Sequence, residues 1–128
     1  MPTTEITTQN FASTIKNGGL VLIDWWASWC GFCRAFGPVY ERVAAKHPDV
    51  TFGKVNTESE PALASQFKIQ AIPTLMVIRD GVLLFEQAGM LPEAALASLI
   101  DQAQKLDMTE VKAKVSEEQA GTKKAASA

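Results

Sequence analysis

From Leu20 to Ala27 the chain reads Leu-Val-Leu-Ile-Asp-Trp-Trp-Ala, apolar throughout except for Asp24. So short a continuous apolar run predicts a strand buried on both faces, as central parallel strands are. Before it, residues 4–7 suit a short edge strand. Thr8 to Asn17 suits a short helix, with Phe11 and Ile15 four apart on one face and Gly18-Gly19 stopping it. After it, Phe36, Tyr40 and Val43 recur at i, i+4, i+7, a helical stripe that Pro38 should kink and His47-Pro48 should end.

Val50 to Asn56 forms a second strand candidate. Ser59 is placed to cap a short helix with Pro61 in its first turn and Leu63 and Phe67 on its apolar side. Thr74 to Arg79 and Val82 to Gln87 are strands joined by Asp80-Gly81, a hairpin signal. From near Pro92, Leu96, Leu99, Ile100, Ala103 and Leu106 make the apolar face of a last helix. The order β-α-β-α-β-α-β-β-α predicts an α/β fold, a mixed sheet with helices on its faces.

Residues 107–128 break this pattern. They hold four acidic and four basic side chains and few large apolar groups, so they read as a polar tail, flexible or extending the last helix. The 128 residues make one domain, and 47% hydrophobic content excludes a disordered chain. A net charge of -2 argues against a nucleic-acid footprint. The polar N-terminal stretch lacks a basic and apolar leader, and no apolar run approaches the roughly 20 residues of a membrane span. The expectation is a cytoplasmic, monomeric protein without membrane or nucleic-acid partners.

All three Trp and both Cys fall between residues 25 and 33. A Cys30–Cys33 bond would close a loop of four residues. The chain-entropy relation gives it only about 2 kcal/mol, against about 4.7 for a 100-residue loop. A structural staple is therefore a poor reading and a chemical one gains weight. Cys30-Gly31-Phe32-Cys33 follows a buried strand and opens a helix, the setting of a redox pair rather than a metal knuckle. Unpaired N–H groups and the helix dipole favour a thiolate at Cys30. Cys33, one turn on, lies on the same side, so Cys30 is the attacking thiol and Cys33 the resolving one. Asp24, inside the apolar run, should be desolvated and hold its proton to higher pH than an exposed acid.

The segment Asp24-Trp25-Trp26-Ala27-Ser28-Trp29-Cys30-Gly31-Phe32-Cys33, with Pro38 five residues on, resembles the active-site segment of the thioredoxin family. Lys54-Val55-Asn56, Ile72-Pro73-Thr74 and Gly89 fall where that family carries matching residues. The resemblance spans roughly residues 5–106 and implies a thioredoxin domain over residues 1–106, a five-stranded mixed sheet with helices on both faces. It also implies reduction of protein disulfides without a bound cofactor. The redox group would be the Cys30–Cys33 pair, and NADPH would serve indirectly through a thioredoxin reductase.

By the same resemblance Asp24 accepts the proton of Cys33, Lys54 lies close to Asp24, and Ile72–Pro73 is a cis dipeptide facing the cysteines. Trp29, Gly31, Phe32, Ile72, Pro73, Gly89 and Met90 would form an apolar rim for the substrate chain. Trp25 and Trp26 are expected in the core, and His47, the single His, without a catalytic part.

Phe32 departs from the family pattern, which has Pro there. Phe retains an N–H that Pro lacks, and that donor is expected at the Cys30 sulfur, favouring the reduced form and a potential above the about -270 mV typical of thioredoxin. This keeps open a more oxidising oxidase or isomerase. A non-catalytic binding module is a third reading, although both cysteines are retained. A zinc site shared between two chains is a fourth, disfavoured because one chain offers two cysteines and a distant His47.

Overall fold

The computed structural model describes residues 2–17 and 19–114. From Thr3 to Lys105 nine elements follow one another. They are β1 (Thr3–Glu5), α1 (Phe11–Asn17), β2 (Leu20–Trp26), α2 (Gly31–Ala45), β3 (Thr51–Asn56), α3 (Pro61–Gln66), β4 (Thr74–Arg79), β5 (Val82–Ala88) and α4 (Glu93–Lys105). The strands make one mixed sheet in the order β1-β3-β2-β4-β5. β1, β3 and β2 run parallel, and β4 and β5 are antiparallel to their neighbours.

β2 is the central strand, and six of its seven residues are buried. Its alternate residues feed two cores, one on each face of the sheet. Leu20 and Leu22 pack with Phe36, Tyr40, Val43, Leu96 and Ile100 from α2 and α4. Val21, Ile23 and Trp25 pack with Ile6, Leu63 and Met76, and with Phe11, Ile15 and Phe67 at the margin. Each fully buried large apolar side chain contributes about 1.5–3 kcal/mol. α2 runs unbroken through Pro38.

Asp80 and Gly81 both take positive φ (53° and 79°) between the paired Arg79 and Val82. That is the turn whose twist matches a two-residue hairpin. A register shift after Val77 leaves Leu84 as the extra residue of β5.

Several sequence expectations need correction. α1 starts at Phe11, because Asn10 first ties the preceding turn, its Oδ1 accepting from Thr7 N at 2.8 Å and its Nδ2 donating to Glu5 O at 3.0 Å. Ser59 does not cap α3. Glu60 takes the cap position without a side-chain cap bond, and Asn56 Oδ1 instead accepts the N–H groups of Glu58 and Ser59. Leu106 is exposed rather than inward-facing, since α4 ends at Lys105.

The break after α4 is held by Arg79, whose Nη1 donates to the carbonyls of Ala103, Gln104 and Leu106 at 2.8–3.1 Å. Residues 108–114 then form a separate helical segment. Asp107 Oδ1 accepts from Thr109 N at 3.0 Å at its start, and Met108 is buried. Gly18 and residues 115–128, most of the expected tail, lie outside the described residues.

Candidate active site

Cys30 lies just past the carboxyl end of β2, where open α/β sheets place their sites. A tight turn brings it there, with Cys30 N donating to Ala27 O at 3.2 Å. The same segment is tied down by Arg34 Nη1 on Ser28 O (2.8 Å), Ser28 Oγ on Glu58 Oε1 (3.0 Å) and Thr57 N on Trp26 O (2.8 Å). The Arg34–Ser28–Glu58 chain is not legible from sequence, because none of the three is special in its local pattern.

Cys30 is the N-cap of α2, and its sulfur accepts the Cys33 N–H at 3.2 Å. This corrects the expectation for Phe32: the donor on the Cys30 sulfur is Cys33 N–H, the geometry of an N-cap side chain bonding the third helical residue. Both cysteines are buried, free thiols. Cys30 Sγ lies 3.6 Å from Ile72 O as a donor. The Ile72–Pro73 bond is cis. Gly89 N donates to Pro73 O at 2.8 Å, linking Gly89, with φ 98°, to the same loop. Thr74 Oγ1 donates to Ala71 O and closes the loop from below.

Burial pushes the Cys33 thiol up to about 12, helped by its bond with Cys30 and by the negative charges of Cys30 and Asp24, with a backbone bond at Ala27 opposing. Cys33 therefore does not ionise unaided near neutral pH.

Asp24 is 1% exposed, and neither carboxylate oxygen has a hydrogen-bond partner. Burial raises its pKa to about 7, and the Lys54 ammonium opposes that rise. Lys54 is the register partner of Asp24 across β2 and β3. Its Nζ stands 5.0 Å from the centroid of the Trp26 ring. Trp25 is fully buried as expected, whereas Trp26 is half-buried and faces that ammonium rather than the core.

Behind Asp24, the buried Tyr40 hydroxyl donates to Gly53 O at 2.8 Å. Burial first, and Asp24 second, hold its pKa well above the usual tyrosine value. His47 is remote from the pair, its Nδ1 2.9 Å from Val43 O at the end of α2. Among the described residues no group of three or more His, Cys, Asp or Glu side chains is placed to hold a metal ion.

The residues expected to form the rim sort by exposure. Trp29 and Phe32 are 67% and 70% exposed, and Met90 is also exposed. Gly31 and Gly89 are open to solvent, Ile72 is half-buried and Pro73 is buried.

A buried dithiol at a helix N-terminus, with an unpartnered acid whose charge reaches the second thiol and a cis-proline loop against the first, defines a thiol–disulfide exchange site. Comparison with known proteins assigns the family. The Thioredoxin family profile matches residues 2–102, so the chain belongs to the thioredoxin family and is a thiol–disulfide oxidoreductase. It is 55% identical over 118 residues to the Streptomyces coelicolor protein named "Putative thioredoxin 2", covering 92% of this chain and 88% of that one. It is 40% identical over 99 residues to the thioredoxin of Chlamydia trachomatis, covering 77% and 96%. A mutant thioredoxin from Halobacterium salinarum superposes with a TM-score of 0.74 at 31% identity, over 80% of this chain and 91% of that one.

Proposed function

We propose that the protein reduces disulfides in other proteins by two successive exchanges. The Cys30 thiolate attacks one sulfur of the substrate disulfide, and the substrate's second sulfur leaves as a thiolate. A mixed disulfide with Cys30 results. Cys33 then attacks Cys30 Sγ, giving its proton to Asp24. The Cys30–Cys33 bond forms, the mixed disulfide breaks, and the second substrate thiolate leaves. The substrate gains two electrons and the protein loses two.

A thiol held up to about 12 needs a base, and an acid held at about 7 is matched to that task near neutral pH. Lys54 tempers the acid. Trp29, Gly31, Phe32, Ile72, Pro73, Gly89 and Met90 receive the substrate chain around the buried sulfur. A thioredoxin reductase using NADPH restores the dithiol, and the protein works as a cytoplasmic monomer. Among the described residues no helix is long and apolar enough to cross a membrane.

The observation that carries this reading is the buried Cys30–Cys33 dithiol with a buried, unpartnered Asp24 carboxylate near enough for its charge to act on the Cys33 thiol. Insulin reduction with a thioredoxin reductase and NADPH tests it. Wild type is expected to turn over and Cys30→Ser to be inactive. Equal rates would overturn the enzyme reading, and turnover with dithiothreitol but not with the reductase would overturn the recycling partner.

A further inference from the structure

Asp24 and Lys54 sit side by side in register, yet they do not form an ion pair. Neither Asp24 oxygen has a polar partner, and among the described residues no carboxylate lies within 4.0 Å of Lys54 Nζ. The ammonium therefore acts on Asp24 from beyond hydrogen-bond reach. A long, flexible lysine stem does not hold such a position unaided.

Trp26 supplies the missing constraint. It lies two residues beyond Asp24 on β2, so the two side chains share one face of the sheet. Lys54, level with Asp24 on β3, projects to that face as well. The Trp26 ring centroid is 5.0 Å from Lys54 Nζ, within the range of a cation–π contact.

We propose that Trp26 is a positioning residue whose ring holds the Lys54 ammonium beside Asp24 and so sets the pH at which that carboxylate takes up a proton. The proposal rests on the reading of Asp24 as the proton acceptor for its mechanistic meaning. It does not need that reading for its test.

The groups facing Asp24 are few. β3 contributes Lys54, and β4 contributes the apolar Leu75 as register partner. α2 contributes Cys33 and Tyr40, both of which feel the Asp24 charge, with Glu41 beside Tyr40. Lys54 is thus the one cation among them. Loosening it leaves the carboxylate with burial and like charges, all of which favour the protonated form.

The experiment titrates Asp24 in the reduced protein through its side-chain carboxyl ¹³C shift. Trp26→Leu keeps apolar bulk but removes the π face, and is expected to raise the midpoint by about 0.5 on the pH scale, the size a contact of this class supports. Trp26→Phe keeps a π face and should restore most of the wild-type midpoint. Lys54→Met should raise the midpoint, and Trp26→Leu added to it should then change nothing.

An unchanged or lowered midpoint in Trp26→Leu overturns the proposal. So does an equal rise in the Lys54→Met background, because the ring would then act without the lysine. If Trp26→Leu does not fold, Trp26→Met replaces it under the same criteria. The role of Asp24 as a base is read separately, from the pH profile of insulin reduction in Asp24→Asn.

Discussion

The backbone N–H of Cys33 donates to the sulfur of Cys30 across 3.2 Å, so the resolving residue supports the attacking one before any exchange takes place. The bond comes from cap geometry and does not depend on what stands at position 32. That bounds the effect of Phe32. A Pro at this position would leave the Cys33 donor in place and remove only a neighbouring N–H. Phe32→Pro is therefore expected to lower the redox potential by less than about 30 mV, the equivalent of one full hydrogen bond of about 1.4 kcal/mol. Equilibration of both proteins with glutathione buffers reads it. A fall well beyond that value would mean that the Phe32 N–H carries the thiolate after all, and a rise would remove Phe32 as the source of any oxidising character.

Phe32 has a second consequence, through its ring. At 70% exposure beside the nucleophile, that ring is free to cover an apolar substrate residue. Phe32→Ala is expected to raise KM for insulin about fivefold, the size of about 1 kcal/mol of lost apolar contact, with kcat nearly unchanged. Steady-state kinetics at saturating reductase separate the two constants. A fall in kcat at constant KM would place Phe32 in the chemistry instead.

The two exchange steps predict different failures for the two cysteines. Cys30→Ser removes the nucleophile and should abolish insulin reduction. Cys33→Ser retains the first step and lacks the second, so it should accumulate a mixed disulfide through Cys30. Mass spectrometry of the trapped adduct after incubation with oxidised insulin checks this. An adduct on Cys33 in the Cys30→Ser protein, formed at a comparable rate, would reverse the assignment.

Much of this site was legible in the sequence because its chemistry is local. A buried apolar run, a Cys-x-x-Cys and a helical stripe lie within 24 consecutive residues, from Leu20 to Val43. The Asp80-Gly81 turn is equally local. The features that sequence reasoning missed all join residues far apart in the chain. Arg79 closes the end of α4 from 24 to 27 residues away, and Tyr40 donates to the carbonyl of Gly53. Trp26 stands half-buried against the Lys54 ammonium, not in the core that its apolar neighbours suggested. Ser59 illustrates a local failure, because Asn56 captured the nearby N–H groups first.

Gly53 is another residue whose role sequence alone did not show. On β3 it lies against Ile6, whose Cγ1 would stand 2.9 Å from an added Cβ with its Cδ1 closer still, and Leu22 O would stand 3.3 Å away. Both neighbours are fully buried. Gly53→Ala is expected to destabilise the protein by about 1–3 kcal/mol through overpacking, in urea unfolding at pH 7. Ile6→Val should recover part of that loss by shortening the opposing side chain. A neutral Gly53→Ala would show that Ile6 moves aside freely.

The buried acid Asp24 should also be visible in stability against pH. Asp24 has a folded pKa of about 7, above the 3.8 of an ordinary aspartate, because burial disfavours its charge. Below about pH 3.8 both states carry the proton, and the group contributes nothing to the difference. Between 3.8 and 7 the unfolded chain has lost it while the folded chain keeps it, so stability falls as pH rises. Above 7 the folded carboxylate is charged too, and the full cost persists, on the order of 4 kcal/mol at most. Asp24→Asn cannot ionise and should be more stable than wild type at pH 8, with the advantage shrinking toward pH 4. Urea unfolding of both proteins from pH 4 to 8 measures it, with the other carboxylates common to both. Parallel curves across that window would mean that Asp24 does not hold its proton in the folded state, and the case for it as the base that activates Cys33 would fall with them.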